Sequence, residues 1–365
     1  MDQSTLSPIP RIAPQQQTHG FVFSGQAGEF FRIWIVNIAL SFLTLGIYSA
    51  WAKVRTKRYF YGHTSIAGSS FEYLADPISI LKGRIIALLL IAIYFAVASE
   101  GPVTEIALTL MAGEVSDLLV AALVVQGILI IVLPYIFVMG LRFRARVTRY
   151  RNVRFDYKDS YGGAMWPLVV FPGAVLFIFP LIWPWADAVR RNHILNRYRF
   201  GNAIFGAQVE AGALFRIYIV GFLLLGAAIV GGVVVTIIGS LQTPTLLPLL
   251  VAGGAVFLWA WSQAYILGRI LNHMFETLSV GPHIRFKSRL DPIQLGLIAA
   301  TNWLAVIASL GLAWPWAKIR MAKYRAETLS IIAHRSVDDI TGEAQEDLAA
   351  TGDEVMELGG LDIGF

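Results

Sequence analysis

Uncharged, apolar runs alternate with short polar and basic stretches along this chain. Five of the runs are Ile33–Ala52, Ile85–Ser99, Leu118–Leu141, Ser160–Ala186 and Ile293–Ala317, of 20, 15, 24, 27 and 25 residues. The remaining one, Ile217–Gly268, is 52 residues long without a charge. About 20 residues cross the hydrocarbon of a bilayer, so this run is read as two helices. The turn between them is placed at Gly239–Pro248, where Gly239-Ser240, Pro244 and Pro248 break the helical pattern. The total is seven hydrophobic segments.

A Trp-Ala motif leading into a basic helix is written three times: Ser49-Ala50-Trp51-Ala52-Lys53, Trp183-Pro184-Trp185-Ala186 and Trp314-Pro315-Trp316-Ala317-Lys318. A plain segment follows the first two copies, and then a segment whose end is polar or Arg-rich. The order is thus Trp, plain, Arg, twice over, with a last Trp segment. Trp51 and Trp185 lie 134 positions apart, and Trp185 and Trp316 131. Spacing of this size suggests an internal duplication of the kind found in transporters. Between the segments sit short pieces with strand alternation and turn glycines, such as Tyr59–Tyr73 and Tyr198–Glu210. Isolated hairpins are marginal in water, so these pieces are expected to pair with one another.

The expected fold is an α-helical polytopic membrane protein. Its seven segments form an internal repeat, with the strand pieces gathered in a small sheet on the cytoplasmic face. The expected organisation is a disordered polar tail over 1–20, a first membrane repeat over 21–157 and a second over 158–288. A partial third repeat covers 289–336, and an acidic tail 337–365.

Composition agrees with a bilayer as solvent. Of 365 residues, 56% are hydrophobic and only 15% charged; a soluble domain carries about 25% charge. Mean hydropathy is +0.63. The chain has no Cys, which excludes disulfides, thiolate catalysis and Cys-ligated metal. The polar N-terminal stretch has no apolar core of a signal peptide. Net charge is +5. The segment from Val337 onward holds nine acidic residues and no Lys or Arg, leaving 29 basic against 15 acidic elsewhere.

Basic clusters follow the Trp segments (Lys53, Arg55; Arg190; Lys318, Arg320) and the first Arg segment (Arg142, Arg146, Arg149). Lys and Arg collect on the cytoplasmic side of a membrane. Only the Ser99–Asp117 connection and the Gly239–Pro248 turn lack them. Seven ordinary spans would place successive basic clusters on opposite sides. Four spans (about 85–100, 118–141, 214–239 and 246–268) with three re-entrant Trp segments would place every cluster, and both termini, in the cytoplasm. Both arrangements stay open at this stage.

Candidate chemistry is sparse. The histidines His19, His63, His193, His273, His283 and His334 show no metal-ligand spacing, and no phosphate loop, dinucleotide fingerprint or nucleophile elbow is present. No cofactor or metal is expected. Arg142, Arg146 and Arg149 share one face at i, i+4, i+7 if the helix continues through them. With Lys53, Arg55, Arg190, Lys318 and Arg320 they would form a cationic layer suited to anionic lipid headgroups. Trp51, Trp183, Trp185, Trp314 and Trp316 fit an aromatic belt. The charge lies along membrane ends, not in a separate basic domain, which argues against nucleic acid.

The stretch Thr44-Leu-Gly-Ile-Tyr-Ser-Ala-Trp-Ala-Lys-Val-Arg-Thr-Lys-Arg-Tyr-Phe-Tyr-Gly-His-Thr64, followed by Gly68, Phe71, Tyr73 and Ile80-Leu-Lys-Gly-Arg84, resembles the YjgN-like family of bacterial inner-membrane proteins. The resemblance runs over residues 18–336 and implies a multi-pass inner-membrane protein. The family has no known function, so the resemblance brings no site residues. The functional expectation is a non-enzymatic membrane protein whose basic cytoplasmic face meets lipid headgroups, a protein partner or a second copy. A transporter or channel is the alternative. Single cysteines placed at Asn152 and Asn202 separate the topologies: labelling from the same side is expected for four spans, and labelling from opposite sides for seven.

Overall fold

The computed structural model describes residues 16–98, 111, 117–178, 180–240 and 246–345. Residues 99–110 and 112–116 of the Ser99–Asp117 connection and residues 241–245 of the Gly239–Pro248 turn fall outside these residues.

Ten strands close into one antiparallel barrel. They are β1 Gln17–Phe23, β2 Thr64–Ile66, β3 Ser69–Tyr73, β4 Thr148–Tyr150, β5 Val153–Tyr157, β6 Tyr198–Phe200, β7 Ala203–Gly206, β8 Ser279–Val280, β9 Ile284–Ser288 and β10 Leu329–Ala333. Each strand pairs with its neighbours in the chain. Closure comes from β1, which holds Phe21 opposite Ile66 of β2 and Gln17 opposite Ala333 of β10. The hairpin turns use left-handed backbone: Ala67-Gly68 at φ 45° and 76°, Arg151-Asn152 at 45° and 66°. Two successive positive φ values are what a two-residue turn needs to match strand twist.

Between strands the chain leaves the barrel as helices. These are α1 Ala27–Leu43 and α2 Ser49–Gly62; α3 Pro77–Ala98 and α4 Asp117–Arg146; α5 Tyr161–Met165, α6 Phe171–Ile178 and α7 Trp183–Leu195; α8 Ala211–Ser240 and α9 Leu246–Thr277; α10 Pro292–Ala308 and α11 Trp314–Thr328. A π turn, Trp166–Val170, joins α5 to α6. Pro167 and Pro172, which lack an N–H, lie in and just after it. After β10, residues 337–345 form α12.

The sequence order fixes where these helices stand. The turns β2–β3, β4–β5, β6–β7 and β8–β9 all fall on one rim of the barrel. All five helical excursions therefore leave and return at the opposite rim. Asn152 and Asn202 both lie in turns of the first rim.

This architecture corrects the expectation of a purely α-helical, seven-segment bundle with a small sheet. The strand pieces form a closed barrel, because each short hairpin has two open edges that only its neighbours can satisfy. Seven alternating spans are incompatible with closure, since each excursion must come back to the rim it left. Among the described residues, two helical stretches are long and apolar enough to cross a membrane, Val124–Arg146 and Ala211–Ile237. Two further boundaries differ. Gln17–Gly20, read as tail, is the start of β1. The beginning of the acidic segment is α12, and the rest of it lies outside the described residues.

Alternation along the strands sends aromatic side chains inward. Phe21, Phe71, Tyr150, Phe155, Phe200 and Phe205 form a belt of ring contacts with centroids 4.9–6.4 Å apart. Outward positions such as Glu72, Arg154, Arg285 and Lys287 are exposed. At the turn rim α12 covers the lumen, adding Val337, Ile340 and Ala344 to the buried core. Arg151 pairs with Asp338 and accepts, at its carbonyl, a 2.6 Å bond from Gln345 Nε2.

The end hairpins α1–α2 and α10–α11 are built alike, residue for residue. Asn37 Nδ2 donates to the Ala52 carbonyl (3.4 Å) and Asn302 Nδ2 to that of Ala317 (3.1 Å). Tyr59 Oη bridges the backbone N–H and C=O of Gln26 at 2.8 and 3.0 Å, and Tyr324 Oη bridges those of Asp291 at 3.0 and 3.0 Å. The helix-to-helix turns carry Leu45-Gly46 at φ 49° and 90° and Leu310-Gly311 at 52° and 94°. Every such pair is 265 positions apart, as Asn302 is from Asn37. A side chain at left-handed φ costs on the order of 1 kcal/mol. Gly311→Ala is expected to lower stability by about that amount in thermal unfolding of the detergent-solubilised protein. Leu310→Gly, at a residue 95% exposed, is expected to leave stability unchanged or raise it. Equal losses at both positions would show that the turn conformation is not what the glycine supplies.

A cationic chamber above the barrel mouth

Inside the ring of helices, basic side chains from four elements converge. Lys53 of α2 lies within electrostatic range of Lys57, Arg84 of α3 and Arg144 of α4. Lys318 of α11 lies within range of Lys57 and Arg325. Lys57 thus faces both groups. Helical spacing explains it: Lys53, Lys57 and Tyr61 recur every four residues on one face of α2. Lys57 Nζ stands 5.7 Å from the Tyr61 ring centre.

Tyrosines line the passage from this chamber to the lumen. The Tyr61 and Tyr73 rings are 5.3 Å apart. Burial holds the Tyr73 and Tyr198 phenols above their ordinary range, with Tyr61 raising both further and Arg144 opposing. Arg325 is solvent-accessible, yet burial lowers its pKa. That combination describes a concave, wet space.

Among the described residues, none of Lys53, Lys57, Arg84, Arg144, Lys318 and Arg325 forms an ion pair. No carboxylate among the described residues acts on Lys53, Lys318 or Arg325. Two like charges about 8 Å apart repel by roughly 2 kcal/mol at an effective dielectric near 20. A space holding several such pairs favours an anion.

The residues singled out by the sequence divide sharply. Lys53 and Lys318 line the chamber. Arg142 instead donates to the Asp159 carbonyl at 3.1 Å, and Arg146 pairs with Asp156 at 3.0 Å. Arg149 is not on a helix: α4 ends at Arg146, and Arg149 sits on β4, paired with Glu72. Arg55 is exposed on α2, two positions from the face of Lys53 and Lys57. Arg190 and Arg191 both bind the buried Asp187 carboxylate, at 2.6 and 2.7 Å. Arg320 donates to Thr301 and Asn302 at 2.8 and 3.1 Å and lies over Trp316.

The tryptophans are packing partners. Trp51 stacks on Tyr48, Trp185 meets Phe171 edge-on, and Trp183 packs against the cluster of Phe171, Val175 and Ala186. Trp314 lies under Lys318, 4.8 Å from its Nζ. Sequence reasoning missed Lys57, Arg84, Arg144 and Arg325 as site residues; Arg84 bonds Ser49 Oγ at the start of α2. The available signal was the unused face of each helix, since Arg144 points away from Arg142 and Arg146.

The middle Trp unit carries a different tether. His193 Nε2 and Arg197 Nε each bond Asp159 at 2.7 Å, and Tyr157 Oη bonds it at 3.0 Å. The Asp159 side chain is 1% exposed. Burial pushes the His193 pKa below 6.5; Asp159 opposes this and Arg197 adds to it. His193 therefore takes up its proton more readily in the unfolded chain. Its contribution is full above pH 6.5 and is lost as pH falls through the folded value. Wild-type protein is expected to lose thermal stability as pH drops from 7.5 towards 5, and His193→Gln is expected to flatten that slope. A slope unchanged in His193→Gln would assign the pH dependence to other groups.

The family model described as a bacterial protein of unknown function, DUF898, matches residues 18–358, reaching into the acidic segment. Inner membrane protein YjgN of Salmonella typhimurium (strain LT2) is 24% identical over 366 residues, covering 86% of this chain and 88% of that protein. Inner membrane protein YjgN of Escherichia coli (strain K12) is 31% identical over 168 residues, covering 44% of this chain and 38% of that protein. No solved structure matches the chain. The match along almost the whole sequence means that the chain belongs to the DUF898 family and, like its YjgN relatives, is a bacterial inner-membrane protein.

Proposed function

We propose that the chamber binds the anionic headgroup of a membrane lipid on the cytoplasmic side, and that the protein acts by binding and not by catalysis. The observation that carries this reading is the convergence above the barrel mouth of Lys53, Lys57, Arg84, Arg144, Lys318 and Arg325, none of which forms an ion pair among the described residues.

The membrane arrangement that fits the reading has the barrel and both termini in the cytoplasm. The pairs α3–α4 and α8–α9 cross and return. The Trp hairpins dip into the near leaflet: α1 and α10 have 17 residues each, a reach of about 25 Å at 1.5 Å per residue, short of the roughly 30 Å of hydrocarbon. Their tips are apolar and open, with Leu45 and Leu310 both 95% exposed. In this arrangement the basic clusters all obey the charge rule. The matched hydrogen bonds of the two end hairpins support an origin by internal duplication. The competing reading, a transporter or channel, needs an aqueous path, and the barrel axis offers an apolar lumen covered by α12.

The test compares lipids retained by full-length protein purified from membranes. Wild type is expected to enrich phosphatidylglycerol over phosphatidylethanolamine. The double variant Lys57→Gln/Arg144→Gln is expected to lose that enrichment by roughly tenfold or more, from about 1 kcal/mol per cation. Arg146→Gln and Arg149→Gln, which remove cations already paired, are expected to keep it. Equal retention in wild type and the double variant defeats the reading.

A further inference from the structure

We infer that the barrel lumen is a seat for one acyl chain of the same amphiphile whose anionic head occupies the chamber. This rests on the headgroup reading above and extends it to a second, apolar subsite inside the sheet.

The lumen holds a cavity of about 240 Å³ lined by Phe, Ile and Val side chains, among them Phe71, Phe200, Phe286 and Ile331. An apolar cavity of about 150 Å³ stays dry and takes up benzene, so this one has room for a run of methylenes. Its polar groups are already satisfied. Tyr150 Oη donates to the Ile66 carbonyl at 2.8 Å, and Thr341 Oγ1 to the Val337 carbonyl at 2.9 Å. Water in the cavity would find no free hydroxyl donor in this lining, whereas an alkyl chain needs none.

The interior is graded along the barrel axis. Phe71 and Tyr73 share the inward face of β3, and Phe200 and Tyr198 that of β6. Residues two apart on a strand are roughly 7 Å apart. A path from the lumen thus meets the aromatic belt, then the tyrosines, then Arg144 and the lysines. At the other end α12 seats Val337 and Ile340 on the cavity. The gradient of apolar floor, phenol mouth and cationic vestibule matches an acyl chain with an anionic head, entering tail first from the helix side. The acid could be free or esterified, since both present the same chain and a negative head.

Photolabelling of the detergent-solubilised full chain tests this. The probes are palmitic acid with a diazirine near its methyl end, and phosphatidylglycerol carrying the same acyl group. Peptide mapping is expected to place the label on strand peptides containing Phe205, Phe286 or Ile331. Labelling by the free acid alone identifies a fatty acid, and labelling by both identifies a lipid chain. Ile331→Trp fills the lumen from β10, and Ile340→Trp fills it from α12 without touching a strand. Either is expected to cut lumen labelling by at least about tenfold, the equivalent of two buried methylenes, and to lower the total lipid bound, with the phosphatidylglycerol-to-phosphatidylethanolamine preference of the remainder retained. Label confined to the outer faces of α4 and α8, with enrichment intact, overturns the lumen seat and leaves the headgroup site standing. Loss of enrichment in wild type removes the headgroup reading itself.

Discussion

Backbone hydrogen bonding around the barrel is the constraint on which everything else in this protein depends. Strands of two to seven residues cannot stand alone, and none of the four chain-local hairpins has a partner within itself for its outer edges. Closure gives each edge a neighbour. It also forces a geometric consequence on the membrane part: each helical excursion begins and ends on the same rim. A short, soluble-looking motif thereby dictates how the apolar helices are paired.

Closure also creates the chamber. Five helical excursions standing on one rim enclose a space above the lumen, and whatever points inward from their turns nearest the barrel shares it. Many basic residues at those positions are neutralised locally. Asp187 takes Arg190 and Arg191, Asp156 takes Arg146, and Glu72 takes Arg149. The inward-facing set has no such partners among the described residues. Mutual repulsion of that set opposes folding, and the fold tolerates it because the space is wet. The same repulsion is what an incoming anion relieves, so the feature that weakens the free protein strengthens binding.

The unlike hairpins show how the scaffold distributes rigidity. The end units use a Tyr hydroxyl clamped on backbone at Gln26 and Asp291, and a buried Asn at the helix crossing. The middle unit replaces the Tyr clamp by the His193–Asp159–Arg197 cluster and adds a π turn that contains Pro167 and is followed by Pro172. Its tether includes an imidazole, His193, whose pKa burial holds below the ordinary 6.5.

The sequence by itself determined the apolar segments, the three Trp-Ala units spaced 134 and 131 residues apart, the strand pieces with their turn glycines, and the bacterial inner-membrane class. These are local signals: hydropathy runs, period-two alternation and turn chemistry are each contained in a few consecutive residues. Only the tertiary structure decided that the strand pieces close into a barrel, because registers such as Gln17 opposite Ala333 join residues from the two ends of the chain. The same closure decided which cations matter. Arg142, Arg146 and Arg149 looked like one helical face, but α4 stops at Arg146 and all of them find partners. Arg144, two positions along and pointing the other way, is left facing Lys53 across a space that exists only once the ring of helices is assembled.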